Sequence, residues 1–460
     1  MPVPSFIHNK HLLWRAGFGV ETAQFDHLHT TDISELLEEL ISEEAFSAIG
    51  YHASGKETVN AMEPASPAEK KKKMQKIYRQ QNEELNLNFL DKMVNSREQL
   101  REKMAFFWHG HFASRVQNPE FNCQLLNVIR KNALGNFKDL LYGVSQSPAM
   151  LNFLNNQQNK KDHPNENFAR EVMELFTMGR GSYTEKDIRE AARAFTGWGY
   201  AKDGRFMERE KLHDEGTKTF LGKTGNFTGS DVLDIILEQK ATARFITVKI
   251  YRFFVNENAD GPTVDALSEK FYDSGYDIKS LMKDIFSSSW FYSQKNIGTR
   301  IKSPIELMAG MMRALPMEIR NPENLIVYQK LLGQMLLYPP NVAGWPGGKS
   351  WIDSSTLMLR LQIPQIWSGL RPLDYRPKED DDLDMGLKSR SADPAGKGFK
   401  NPNITIDWER VEKVFAGKNI GDYLLQSTLS PDISTVNNFS DGSLRMKVIN
   451  LMSTPEYQLM

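Results

Sequence analysis

The sequence predicts a mainly α-helical fold: a multi-helical globular bundle with a small β excursion at about residues 200–229. Three observations carry this prediction. Apolar residues recur every three to four positions along most of the chain, the period of one helix face. The chain has 460 residues and 40% hydrophobic content, enough to bury a large core. One stretch departs from the helical pattern. Residues 204–229, "GRFMEREKLHDEGTKTFLGKTGNFTG", are glycine-rich, with β-prone runs between turn signals, and predict a hairpin or an irregular β segment.

The elements follow in order. Residues 33–47 and 97–108 carry apolar positions at helical spacing, and 119–142 and 231–255 give long amphipathic runs. Ser230 is a plausible N-cap for the last of these. Further helices fit 263–272, 278–287, 303–314, 323–337 and 354–369, the last capped by Asp353 or Ser354. Residues 1–374 read as the main helical domain, with a lysine-rich insertion at 55–75 that suits a solvated helix or loop. Residues 375–403 are charged and rich in Pro and Gly, and read as a flexible loop or linker. A helical C-terminal segment, 404–460, follows and is expected to pack on the main domain.

Bulk charge narrows the function classes. The 57 basic and 58 acidic side chains nearly cancel, so no nucleic-acid partner is expected. Cys123 is the single cysteine, so no intrachain disulfide can form, and its amphipathic surroundings suit a small packed side chain. No apolar run approaches the ~20 residues of a membrane span. The first residues do not look like a signal peptide, so the sequence as it stands reads as cytoplasmic; a chain from which a leader had been removed would look the same.

The densest chemistry lies in "NENFAREVMELFTMGRGSYTEKDIREAARAFTGWG", residues 165–199. A helix is expected from Asn165 or Asn167 to Met178, stopped by Gly179 and Gly181. Phe168, Val172 and Leu175 face a core, while Asn167, Glu171 and Glu174 share a neighbouring stripe. Thr184 and Asp187 have capping-box spacing at the start of a second helix, which gives Asp187 a structural duty. The bland reading of these charges is an ion-paired helix hairpin. The sharp reading is a polar cleft in which Glu171 and Glu174 hold a metal or divide acid and base roles.

Three other segments offer chemistry. In "FFWHGHFAS", His109 and His111 flank Gly110. On a continuous helix they diverge by about 200°, but if Gly110 ends the helix they could converge on one metal. "KLHDEGTKTFLGKTG" presents His213, Asp214 and Lys218 around a turn, suited to acid–base work or anion binding, or simply to a self-bonded turn. "YPPNVAGWPGGKSWIDSS" carries Trp345 and Trp351, which could stack on sugar rings or pin the loop to the core.

Several of these motifs resemble one bacterial family. "HLLWRAGFG", "MAFFWHGHF", the 165–198 segment, "HDEGTKTFLG", "KSPIELMAGMMRAL", "LGQMLLYPPNVAGWPGG" and "STPEYQL" are similar to the family called domain of unknown function 1800, from about residue 8 to the end. The resemblance implies a mainly helical protein of unassigned activity. It also implies a companion: members are often encoded beside a second uncharacterised family, domain of unknown function 1501, which looks like sulfatases and alkaline phosphatases. The resemblance also implies that members are often exported, whereas the start of this sequence does not read as a signal peptide.

Two functional expectations follow. The first is a metal-assisted, hydrolase-like enzyme with a divalent ion as cofactor. His109 and His111 would bind the metal, and Glu171, Glu174, His213 and Asp214 would be the catalytic groups. Asn167, Arg193 and Lys218 would bind the ligand. The alternative is a non-catalytic binding or accessory protein, acting with a sulfatase-like partner or on polysaccharide through Trp345 and Trp351.

Overall fold

Many helix starts are written into the sequence as a capping residue followed by proline. Ser66, Asn118, Ser147 and Ser303 each precede a proline, and each side chain accepts a hydrogen bond from a first-turn N–H. Losing one such cap costs about 1 kcal/mol. The computed structural model describes residues 5–25, 27–42, 45–52, 66–374, 403–426 and 442–460. The expected linker at 375–403 lies outside the described residues apart from Asn403, as do residues 55–65 of the lysine-rich insertion.

The first half is a run of helices: α1 (Ser5–Ala16), α2 (Ile33–Ile41), α3 (Pro67–Asn95), α4 (Gln99–His111), α5 (Pro119–Lys131), α6 (Phe137–Ser145), α7 (Pro148–Phe153), α8 (Asn167–Glu171) and α9 (Glu185–Ala194). Two short antiparallel hairpins follow, β1 (Trp198–Tyr200) with β2 (Phe206–Glu208), and β3 (Lys218–Phe220) with β4 (Lys223–Gly225). The second half runs α10 (Gly229–Leu237), α11 (Lys240–Phe254), α12 (Gly261–Asp273), α13 (Ile278–Ser287), α14 (Pro304–Ala314), β5 (Met317–Ile319), α15 (Leu325–Leu331) and α16 (Ser354–Trp367). It closes with β6 (Ile404–Ile406), α17 (Trp408–Phe415), α18 (Ile420–Leu424) and α19 (Leu444–Met452). The protein is mainly α with a small β part.

The differences from expectation have local causes. The run at 119–142 is two helices, because Asn136 caps α6 and breaks the chain's course. The run at 231–255 also divides, and its first cap is Thr228, in a capping box with Asp231, rather than Ser230. The helix expected at 323–337 ends at Leu331, and Gly333 follows at a φ of 80°. The lysine run at 70–73 lies on the opening turns of α3, mostly solvent-exposed. The pairing of β5 with β6 was not expected from the sequence.

Apolar faces from all parts of the described chain meet in one continuous core. Helix α4 runs through it with every side chain buried, its charges included. Arg130 grips Glu102 through two bonds of 2.6 and 2.9 Å, and Lys103 meets Glu306 at 2.6 Å. Breaking such a buried pair costs about 3–5 kcal/mol, because the remaining charge stays unpaired. The last residues join the same body. Met460 and Arg300 exchange main-chain bonds of 2.8 and 3.2 Å, and Lys302 donates to the Gln458 carbonyl at 2.8 Å. No helix among the described residues is long and apolar enough to cross a membrane.

Candidate functional site

The helix opened by Asn167 widens after Glu171. Residues Val172–Thr177 form a π-helical turn, with Met178 N–H bonding the Met173 carbonyl at 2.9 Å. Such turns carry one more residue per hydrogen-bonded ring and occur often at functional sites. Gly179, at a φ of 73°, stops the helix as expected, and a Cβ there would strike the Phe245 ring. The carbonyls left free at this end are answered by side chains. His111 Nε2–H donates to the Phe176 carbonyl at 3.0 Å, and Lys249 donates to the Leu175 carbonyl at 3.1 Å and to His111 Nδ1 at 3.3 Å. Burial lowers Lys249 to about 8, and burial, followed by Lys249, lowers His111 well below the usual imidazole range. The cation at a helix C-terminus is favourably placed.

The predicted stripe has unequal fates. Asn167 is exposed and donates to the Leu154 carbonyl at 3.2 Å, a structural tie. Glu174 accepts from Arg180 at 2.5 Å and from the Tyr183 hydroxyl at 3.3 Å. Glu171 is half-buried, and among the described residues no hydrogen bond or ion pair engages its carboxylate. Burial, with Glu174 beside it, raises its pKa. Asp187 forms the expected capping box with Thr184 and also accepts from Leu221 N–H at 2.9 Å.

The β excursion is bound to α9 by its own charges. Arg193 reaches Asp214 with bonds of 2.7 and 3.1 Å, and also bonds Glu190 and the Thr217 carbonyl. Burial raises the Asp214 pKa, but Arg193 and Gly216 N–H outweigh it, and the carboxyl is held below the usual range. Lys218 is buried and donates to the carbonyls of Asp214 and Gly216 and to Asn226. His213 Nδ1–H donates to the Thr196 carbonyl at 3.0 Å, while its buried Nε2 has no partner among the described residues.

Gly110 does not end α4, so His109 and His111 diverge on a continuous helix. His109 Nε2 accepts the Leu337 N–H at 3.1 Å, and its ring packs edge-on to Phe89 and against Trp345. Burial lowers its pKa to about 4, so the ring is neutral at physiological pH. Leu337 holds a φ of 68°, a strained turn that His109 supports. Trp351 is 7% exposed and Trp345 is half-buried, so only Trp345 offers part of a ring face to solvent.

The predicted residues therefore fall into three groups held by different partners: His111 with the π turn, His213 and Asp214 with α9, and His109 with the Leu337 loop. Among the described residues no group of three or more His, Cys, Asp or Glu side chains is arranged to hold a metal. Lys249 was missed. Its signal was a lysine between Ile246 and Ile250, at apolar spacing on α11.

Two open cavities lie elsewhere. One of about 500 Å³ is lined by Phe6, His29, Lys418 and Tyr423. The other, of about 450 Å³, is a groove between α3 and the α14–β5 corner, lined by Leu87, Leu90, Val94, Met312, Met317 and Ile319, with Glu21, Asp91 and Arg410 also on its walls. Strand β5 brings it a free edge. Asp407 N–H bonds the Pro316 carbonyl and Arg320 N–H bonds the Asn403 carbonyl, which fixes the register. In that register the main-chain groups of Met317 and Ile319 point away from β6. Among the described residues nothing pairs with them.

A helical body with an open groove, and no group arranged to hold a metal among the described residues, defines the architecture. The model of one protein family matches residues 11–459: the protein of unknown function DUF1800. The chain belongs to that family. No curated protein and no solved structure matches it.

Proposed function

We propose that the chain is a non-catalytic binding or accessory protein that holds an extended polypeptide segment of a partner in the β5 groove. One observation carries this reading: the main-chain groups of Met317 and Ile319, unpaired among the described residues, stand beside a groove with apolar walls and charges of both signs. An incoming strand would satisfy those groups and send alternate side chains into the groove, the logic of β-augmentation. The enzyme reading has less support. Most of the side chains expected to act on substrate already serve the fold, with Glu171 and His213 Nε2 as the exceptions. The polysaccharide version is weakened by burial of Trp351. The sulfatase-like companion implied by the family resemblance is the first partner to try.

The test is a displayed library of unstructured peptides panned against the full chain, repeated with Ile319→Pro. That substitution deletes one outward N–H and leaves the β6 ladder intact. Peptides that bind the native chain are expected to lose about 2- to 10-fold in affinity, the worth of one hydrogen bond. Peptides insensitive to Ile319→Pro would overturn the reading. So would hydrolytic turnover that Glu171→Gln abolishes in a folded protein.

A further inference from the structure

A second feature, independent of the groove, is an excess of buried positive charge. Arg15, Lys103 and Lys302 are 0% exposed and Arg300 is 7% exposed, and all four feel the charge of one buried carboxylate, Glu306. Lys103 takes the short bond to Glu306 at 2.6 Å, and Arg300 stands 3.9 Å from the same oxygen. Arg15 and Arg300 lie close enough to repel one another, and both feel Glu306 and Glu257. The buried carboxylate of α4, Glu102, is already committed to Arg130.

The lysines can shed this charge. Burial lowers Lys103 to about 8, and Lys302 falls well below the usual amine range. Guanidinium groups do not deprotonate in proteins, so Arg15 and Arg300 stay charged. Their bonding is also incomplete. Arg15 donates through one terminal nitrogen to the Asn296 carbonyl at 2.7 Å. Its Nε and other terminal nitrogen, and one terminal nitrogen of Arg300, have no hydrogen-bond partner among the described residues. A buried charge without partners costs several kcal/mol, a large part of a typical folding stability of about 5–15 kcal/mol. Folds keep such groups when something else pairs with them.

We infer that Arg15 and Arg300 form a binding site for a small tetrahedral oxyanion of the phosphate or sulfate class, with Glu306 balancing the lysine side of the cluster. The two unbonded nitrogens of Arg15, beside an Arg300 nitrogen that faces Glu306 at 3.9 Å without a hydrogen bond, suit the several acceptor oxygens of such an anion. Glu257, whose charge both arginines feel, is exposed, and its carboxylate lies against Gly348. A Cβ at position 348 would fall 2.2 Å from a Glu257 oxygen, so a larger residue there would push the Glu257 side chain aside. The site thus joins "HLLWRAGFG", "GTRIKSPIE" and the "GWPGGKSW" loop, three stretches that the other candidate sites leave without a shared role.

The test uses the full chain after exhaustive dialysis into chloride buffer. Thermal melts and equilibrium dialysis are run with inorganic phosphate, sulfate, succinate and chloride at matched ionic strength. Phosphate or sulfate is expected to raise Tm beyond chloride and to bind at one site per chain. Arg300→Gln is expected to weaken that Kd by at least ~10-fold, the loss of one charge-assisted bond. Without added anion the same variant is expected to be at least as stable as the native chain, because it removes repulsion on Arg15; a purely structural arginine predicts the opposite. Arg300→Lys, which keeps the charge, guards against misfolding and is expected to retain partial binding. Stabilisation that tracks ionic strength alone, stabilisation by succinate alone, or undiminished binding in Arg300→Gln would overturn the inference.

Discussion

His109 gives the sharpest test of whether the His109–His111 pair serves the fold. Its Nε2 accepts the N–H of Leu337, a residue 3% exposed and held at a φ of 68°. Replacing His109 by Phe keeps the ring contacts with Phe89 and Trp345 but strands that N–H. A buried donor left without an acceptor costs about 1–3 kcal/mol. Replacing His109 by Ala adds the loss of ring packing and leaves a cavity, another ~2 kcal/mol, and brings the total to about 4 kcal/mol. Denaturant unfolding at pH 7, followed by far-UV circular dichroism, measures both as shifts in midpoint at constant slope. His109→Phe is expected to lose about 2 kcal/mol and His109→Ala about twice that. If His109→Phe unfolds within 0.5 kcal/mol of the native chain, as an ordinary surface change does, the ring does not support the Leu337 turn and its role must lie elsewhere.

Further predictions concern charge and caps. Burial holds His109 at about 4 in the fold against 6.5 unfolded, so the unfolded chain binds the extra proton between those values. Stability is therefore complete above pH 6.5 and falls as pH drops towards 4, and the native chain should lose about 3 kcal/mol more over that window than His109→Phe in parallel melts. Asp187→Ala breaks the capping box and the bond to Leu221 N–H, and should cost about 1–2 kcal/mol in the same unfolding assay. The two arginine pairs should behave differently. Arg180 is 85% exposed, so Arg180→Ala should change stability by less than about 0.5 kcal/mol. Arg193→Ala removes the clamp on Asp214 and Glu190, and limited proteolysis should then cut the 204–229 region faster, with the helices cut as before.

Local features were legible in the sequence, and tertiary ones were not. The Thr184–Asp187 capping box and the Gly179 stop depend on residues within one turn, so spacing sufficed to place them. The α character of the chain followed from apolar period alone. The β5–β6 pair was invisible because its two three-residue strands are joined by no hairpin turn and lie far apart in the chain. The π turn at Val172–Thr177 also leaves no mark in a 3.6-residue pattern. Arg15, Lys103 and Lys302 carry the same letters as solvated surface charges, and only packing shows them buried. For the candidate sites, the sequence named chemically rich residues but not their partners. Lys249 for His111, Arg193 for Asp214 and Leu337 for His109 are each supplied from another segment, and these partners decide which donors remain free.

The central claim, that a partner strand docks on β5, is tested most directly by amide hydrogen exchange at Met317 and Ile319. Their N–H groups have no partner among the described residues. On adding a bound peptide, both amides should slow by at least ~10-fold, and the Glu318 amide, which faces β6, should change little. Slowing confined to the Glu171 or His213 regions, with Met317 and Ile319 unchanged, would contradict the claim.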